Sequence, residues 1–263
     1  MSTLFMISLP LDLGDFRRWA ALRSVALDEG RALHHLLSET FGKGALQPFR
    51  LMVARGARRG MLYAYTRQDA ESLRQMAREV GMPEAVAVAD PARIKAKEMP
   101  PTWREGRHLA FDVRIRPVRR LKSPLEGWSR EEQRRQLKGQ QGKGAYRKGS
   151  EVDAFLVARL RRYPEGMPDE EPDSAGLTRE AIYRDWLAER LGGAAELCAD
   201  KTRLAHFERT IIERNGRIEG PDATLHGELT ITDGAAFADL LASGLGRHTA
   251  YGYGMLLLRP AGR

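Results

Sequence analysis

One cysteine, Cys198, stands in a chain of 263 residues. A single thiol excludes an internal disulfide framework and any zinc site built from several cysteines. Long apolar runs are missing too: none approaches the roughly 18–20 residues that cross a bilayer, and mean hydropathy is negative. Residues 1–7 carry neither a basic leader nor a small-residue cleavage pattern, so a cytoplasmic protein in a reducing compartment, with no membrane partner, is expected. Acidic residues are scattered, and their one dense run, Asp169-Glu170-Glu171 before Pro172 and Asp173, reads as a solvated loop. No metal site and no cofactor is expected. The two common nucleotide loops are also absent. A P-loop needs Gly-Lys-Ser/Thr, and a dinucleotide fingerprint opens a helix after a strand.

What the chain does have is positive charge, unevenly placed. Lys and Arg number 43 against 35 Asp and Glu, a formal charge of +8. Residues 101–150 alone hold 14 Lys and Arg against 5 Asp and Glu, so the rest of the chain is close to neutral. An excess confined to one stretch suggests a surface for a polyanion, the alternative being a solubilising loop.

Hydrophobic periodicity organises the chain into two similar halves. Residues 3–9 read as a buried strand closed by Pro10, and 11–24 as a loop with a helical turn. A helix is expected over 28–41, capped by Asp28, with Leu33, Leu36, Leu37 and Phe41 at helical spacing and Gly42 and Gly44 after it. Residues 49–54 and 61–65 read as a strand pair, 69–80 as a helix and 85–89 as a fourth strand. Strand 108–118, helices 151–162 and 178–191, a strand pair 203–214 and 223–232 around Asn215-Gly216, helix 234–242 and strand 254–258 repeat the order. Thr178 is the expected cap of the second of these helices. The expected fold is α+β: two tandem ferredoxin-like (RRM-like) domains, 1–95 and 96–263, joined near 91–105. The second carries a basic insertion, 119–150, expected to be exposed or disordered, and a C-terminal glycine-rich loop, 244–254.

That loop, Gly244-Leu245-Gly246-Arg247-His248-Thr249-Ala250-Tyr251-Gly252-Tyr253-Gly254, places four glycines in eleven residues between a helix and a strand. Glycines allow positive φ angles and close backbone approach, which exposes N–H groups to an anion. Arg247 and His248 add charge, and Tyr251 and Tyr253 offer faces for base stacking; the alternative is a connection with no ligand. The pattern Gly244-x-Gly246-x5-Gly252-x-Gly254-Met-Leu resembles the glycine-rich loop of the CRISPR repeat-associated family, and specifically its CasE-type endoribonucleases, the type I-E crRNA-processing subunit. Leu229 to Asp233 with helix 234–242 resembles that family's closing hairpin and helix, and residues 111–120 its basic strand.

The resemblance implies an RNA-binding protein that cuts repeat hairpins without metal, through attack of a ribose 2′-OH on the adjacent phosphate. It implies CRISPR repeat RNA or crRNA and other effector-complex subunits as partners. The family histidine lies in Leu-His-x-x-Leu-x-x-x-Phe; here Leu33-His34-His35-Leu36-Leu37-Ser38-Glu39-Thr40-Phe41 puts His34 at the catalytic place. At about 100° per residue His34 borders the apolar face and His35 points away from it. Where the family commonly has tyrosine one turn earlier, this chain has Arg31, which either clamps the scissile phosphate or is a surface residue. The residues expected to grip RNA are Arg114, Arg116, Arg119, Arg120, Lys122, Arg147 and Lys148 of the basic stretch, with Gly244, Gly246, Arg247, His248 and Tyr251 of the loop. A second catalytic cation is left open among Arg203, Arg209 and Arg147. A non-catalytic crRNA-holding subunit of the same superfamily is the other reading. Such loops also occur in members that do not cut.

Overall fold

The computed structural model describes residues 3–126, 145–163, 177–213 and 217–262. It begins with strand β1 (Phe5–Asp12), whose alternation buries Ile7, Leu9 and Leu11 beneath helices. Asp12 ends the strand and caps helix α1 (Leu13–Leu22), its carboxylate accepting from the Gly14 and Asp15 N–H groups. Helix α2 (Glu29–Phe41) is capped by Asp28, which accepts from the Arg31 N–H at 2.9 Å. Strands β2 (Phe49–Met52) and β3 (Arg59–Thr66), helices α3 (Ala70–Val80) and α4 (Pro83–Val88), and strand β4 (Lys95–Glu98) complete a first sheet ordered β2-β3-β1-β4. Its core joins the inward face of β1 to Phe16, Leu33, Leu37, Phe41 and Leu73.

The second unit opens on β5 (His108–Ile115). Two small ribbons follow: β6 (Val118–Arg120) pairs with β9 (Glu151–Asp153), and β7 (Leu125–Glu126) with β8 (Ala145–Tyr146). Then come α5 (Ala154–Arg162), α6 (Arg179–Leu191), the long strands β10 (Ala195–Glu213) and β11 (Arg217–Ile231), α7 (Gly234–Ser243) and β12 (Leu256–Pro260). The sheet order is β10-β11-β5-β12, the same plan as the first, so the chain is a tandem of ferredoxin-like α+β units. Phe111 and Val113 of β5 pack there against Trp186, Leu187 and Phe237. No helix among the described residues is long and apolar enough to cross a membrane.

Several expectations need correction. Pro10 does not close β1. The strand runs on to Asp12, and because β4 pairs only with Phe5–Ser8, Pro10 lies where that edge is open and its missing N–H costs nothing. The stretch 11–24 holds a full helix. Residues 85–88 are helical rather than extended and Ala89 is the cap that follows: Pro83 starts the turn, and Ala85 and Ala89, four apart, both bury. The fourth strand is the charged, exposed edge Lys95–Glu98. Residues 151–153, expected in a helix, form β9, and Asp153 caps the helix behind it. The ends of the basic insertion are paired, and Leu121 buries with Val152 and Val157; 127–144 lie outside the described residues, as do the acidic run 169–173 and the turn Asn215-Gly216. The caps at Asp28 and Thr178 stand as expected, and Asp69, expected inside its helix, caps it instead.

Candidate active site

The two sheets meet where the glycine-rich loop lies against α2. Leu245 N–H donates to the Gly254 carbonyl at 2.8 Å, and Gly254 N–H donates to the Arg114 carbonyl at 2.7 Å, seating the loop on β5. Gly254 has φ +77°, and a Cβ there would sit 2.3 Å from the Leu245 carbonyl oxygen, so only glycine fits. The first pair serves packing: Gly244 lies against Pro48 and Thr249, and Gly246 against the Trp186 ring. Between the pairs, His248 precedes a single 3-10 turn, Thr249–Tyr251. This turn presses on the first turn of α2, where a Cβ on Gly30 would meet the Tyr251 carbonyl oxygen at 2.5 Å. Further links tie the units: Gln47 Nε2 donates to Thr249 Oγ1 at 2.9 Å, and Tyr65 OH to the Leu256 carbonyl at 2.9 Å.

His34 sits one turn along α2 from Gly30, half-buried at the border of the apolar face. Its ring centroid is 5.4 Å from Tyr251 and 5.9 Å from His35. Burial, then the neighbouring charges of His35 and Lys43, hold its pKa below the ordinary 6.5. His35, expected in water, is half-buried as well. Arg31 is half-buried in the same helix. A cleft of about 390 Å³ opens at the N-terminal end of α2, lined in part by Leu27, Glu29, Arg114, Thr210 and Tyr251; of its lining residues Tyr251 is the one in ring contact with His34.

The expected RNA-gripping residues fall into two groups. Arg120, Lys122, Arg147 and Lys148 are exposed. The others are already engaged. Arg114 donates to both oxygens of buried Asp222, at 2.9 Å and 3.2 Å from Nε, and its guanidinium lies 4.9 Å from the Tyr253 ring centroid. Burial opposes its charge, but Asp222 outweighs that and raises the Arg114 pKa. Arg116 is 2% exposed, lies under Gly220 and donates to Thr210, so it faces the interior. Arg119 pairs with Glu189. Arg247 and His248 both meet Glu151. Tyr253, considered for base stacking, is buried and donates to Asp222 at 2.9 Å.

Of the cations left open, Arg209 pairs with Glu219 at 2.7 Å and Arg203 donates to the Thr202 carbonyl. His226 lies 2.9 Å from Asp112, and His108 meets Thr230 at 3.1 Å. Sequence reasoning passed over Asp222, Glu151 and Arg50. Arg50 is 7% exposed on β2 and reaches Asp112 of β5 at 2.7 Å, an ion pair that joins the two sheets. A lone arginine within the apolar run Phe49-Arg50-Leu51 was the available signal. Among the described residues no group of His, Cys, Asp or Glu is arranged to hold a metal ion.

Solved structures share this architecture. A CRISPR endoribonuclease Cse3 bound to a 19 nt RNA superposes with TM-score 0.58 at 15% identity, over 98% of this chain and 100% of that one. A Thermus thermophilus Cse3 bound to an RNA representing a pre-cleavage complex gives 0.59 at 18% identity, again over 98% and 100%. A chain of a CRISPR RNA-guided surveillance complex gives 0.51 at 15%, over 98% and 100%. At such identities the likeness is one of fold. No curated protein sequence matches the chain. The family model described as CRISPR associated protein, however, matches residues 4–260, from β1 through the glycine-rich loop to the end of β12. With both sheets and the loop between them inside that match, the chain belongs to the CRISPR-associated protein family.

Proposed function

We propose that the protein is a metal-independent endoribonuclease that binds CRISPR repeat hairpins and cleaves the precursor RNA. The observation that carries this is His34: a histidine at the lip between α2 and the glycine-rich loop, walled by Tyr251, with its pKa held down by burial. A neutral imidazole takes the proton from the ribose 2′-OH as that oxygen attacks the adjacent phosphorus. The bond from phosphorus to the 5′ oxygen breaks and that oxygen is protonated, leaving a 2′,3′-cyclic phosphate and a 5′-OH. No water is consumed. Arg31, three residues before His34, is the proposed clamp on the phosphate charge. Arg120, Lys122, Arg147 and Lys148 offer exposed charge to the hairpin backbone, with Arg119 on the same ribbon. Since a Cse3 is known bound to RNA and a similar chain sits in a surveillance complex, crRNA and effector subunits are the proposed partners, the product staying bound. One observation favours a non-catalytic crRNA holder instead: Arg114, Arg247 and His248 near the loop are all engaged by carboxylates.

Repeat RNA from the host's own array, incubated with the protein in EDTA, decides between them. Cleavage is expected, and a single 2′-deoxy substitution at the scissile nucleotide abolishes it without weakening binding. Absence of cleavage of the unmodified RNA refutes the enzyme reading. The pH dependence follows from the same residue. The base works only when neutral, so the rate falls as pH drops through the His34 pKa, which burial holds below 6.5. Cleavage rates at sub-saturating concentrations, which report the groups of the RNA-free protein, therefore show an acidic limb across pH 5–8 with its midpoint below about 6.5; a midpoint above that value rules out this buried imidazole as the base.

A further inference from the structure

Two cations of the loop converge on one carboxylate from outside it. Glu151 opens β9 immediately after the basic insertion, and its side chain is 18% exposed. One oxygen accepts from Arg247 Nη1, and the other lies 3.0 Å from His248 Nε2. Burial alone raises the Glu151 pKa, but Arg247 and His248 outweigh it and hold the carboxylate below its ordinary value. The His248 side chain is 4% exposed. Its backbone has φ +67°, one of two non-glycine residues with positive φ among those described.

A residue other than glycine held in that region costs on the order of 1–3 kcal/mol and stays there only where its surroundings enforce it. Here Glu151 holds the His248 ring from the facing ribbon. The consequence runs directly into the active site. His248 starts the 3-10 turn, its carbonyl accepting from the Tyr251 N–H at 2.8 Å. The Tyr251 ring centroid is 6.3 Å from that of His248 and 5.4 Å from that of His34, and its carbonyl oxygen lies against Gly30 of α2.

We infer that Glu151 is a positioning residue for His34: by fixing His248 in the left-handed conformation it sets the turn that places Tyr251 as the wall behind the catalytic imidazole. The role of His34 in cleavage rests on the function proposed above; the wall itself does not. Glu151 thereby couples the C-terminal end of the basic insertion to the reacting atoms through contacts between neighbours. Other charged groups near Glu151 are Arg116, Asp153, Arg209 and Glu219, with Arg120 opposite it on β6. Around His34 they are His35 and Lys43.

The test compares wild type, Glu151→Gln and Glu151→Asp in the full chain. Histidine-ring NMR titration without RNA reads the wall. In Glu151→Gln the His34 midpoint moves up toward 6.5 as the imidazole gains water, and in Glu151→Asp it stays closer to wild type. Single-turnover cleavage of the host repeat RNA at saturating protein then reads the chemistry. Glu151→Gln loses about 10- to 100-fold in rate, as expected for a misplaced catalytic group, with dissociation constants within a few-fold of wild type. Glu151→Asp recovers part of that loss. An unchanged His34 titration overturns the inference. So does tighter RNA binding at unchanged rate, which marks Glu151 as a mere stand-in for phosphate on Arg247 and His248. If wild type fails to cut, the enzyme reading falls, and the titration still decides the positioning role.

Discussion

Replacing His34 with alanine is expected to slow cleavage of repeat RNA by about 10²–10⁴-fold while RNA affinity changes little. The side chain is half-buried at the edge of α2, and its ring neighbours are His35 and Tyr251, so its loss removes a proton acceptor rather than a core contact. The apolar stripe that anchors the helix, Leu33, Leu36, Leu37 and Phe41, is untouched. Alanine is the best helix former, exceeding histidine by a few tenths of a kcal/mol, so the melting temperature should hold or rise slightly. The matched control is His35→Ala, on the same helix and also half-buried, for which less than about a 5-fold change is expected because Tyr251 makes its ring contact with His34. Cleavage by His34→Ala at the wild-type rate, or equal losses in both variants, removes His34 from the mechanism. A fall in affinity that accounts for the whole loss assigns it to binding.

How much of this was legible in the sequence depended on whether local signals and tertiary packing agreed. Helix α2 was readable because Asp28, the apolar spacing and Gly42 all point the same way, and the structure uses each of them. Strand β4 was not. Lys95-Ala96-Lys97-Glu98 has no apolar alternation, and only its pairing with Phe5–Ser8 makes it a strand. Residues 85–89 were misread for the opposite reason: a short apolar run fits either element, and Pro83 was the cue that favoured a helix. For the candidate site, the family resemblance singled out His34, and helix periodicity put it at the border of the apolar face, where it is half-buried. The fate of the arginines was not. Arg114 and Asp222 are separated by 108 positions, and Arg247 and Glu151 by 96, so nothing local distinguishes an arginine free for phosphate from one already held by a carboxylate. Net charge located a basic stretch correctly as composition but could not say which of its cations face outward.

The second large effect is on stability. Asp222→Ala should cost about 3 kcal/mol or somewhat more, a substantial part of the 5–15 kcal/mol typical of a folded domain. Asp222 is 1% exposed on β11 and takes hydrogen bonds from Arg114 and from the Tyr253 hydroxyl at 2.9 Å. Truncating it leaves a guanidinium stacked on Tyr253 with its principal counter-charge gone, and the hydroxyl with only a 3.4 Å contact to Thr210. Breaking one side of a buried pair is costlier than removing both, because the survivor keeps its desolvation penalty. The low end of the usual 3–5 kcal/mol applies, since Arg114 is 26% exposed and can turn toward Glu29, now 3.9 Å away across the junction with α2. Two variants test the reasoning. Asp222→Asn keeps acceptors for the tyrosine and one arginine N–H, and should cost less than half as much. Arg114→Ala combined with Asp222→Ala should cost less than the sum of the two single alanine variants, giving a coupling of about 1–3 kcal/mol in a double-mutant cycle. Urea denaturation measures all of them. A loss below about 1 kcal/mol for Asp222→Ala, or additive single effects, would mean that the ion pair does not hold the loop-bearing strands together as the geometry indicates.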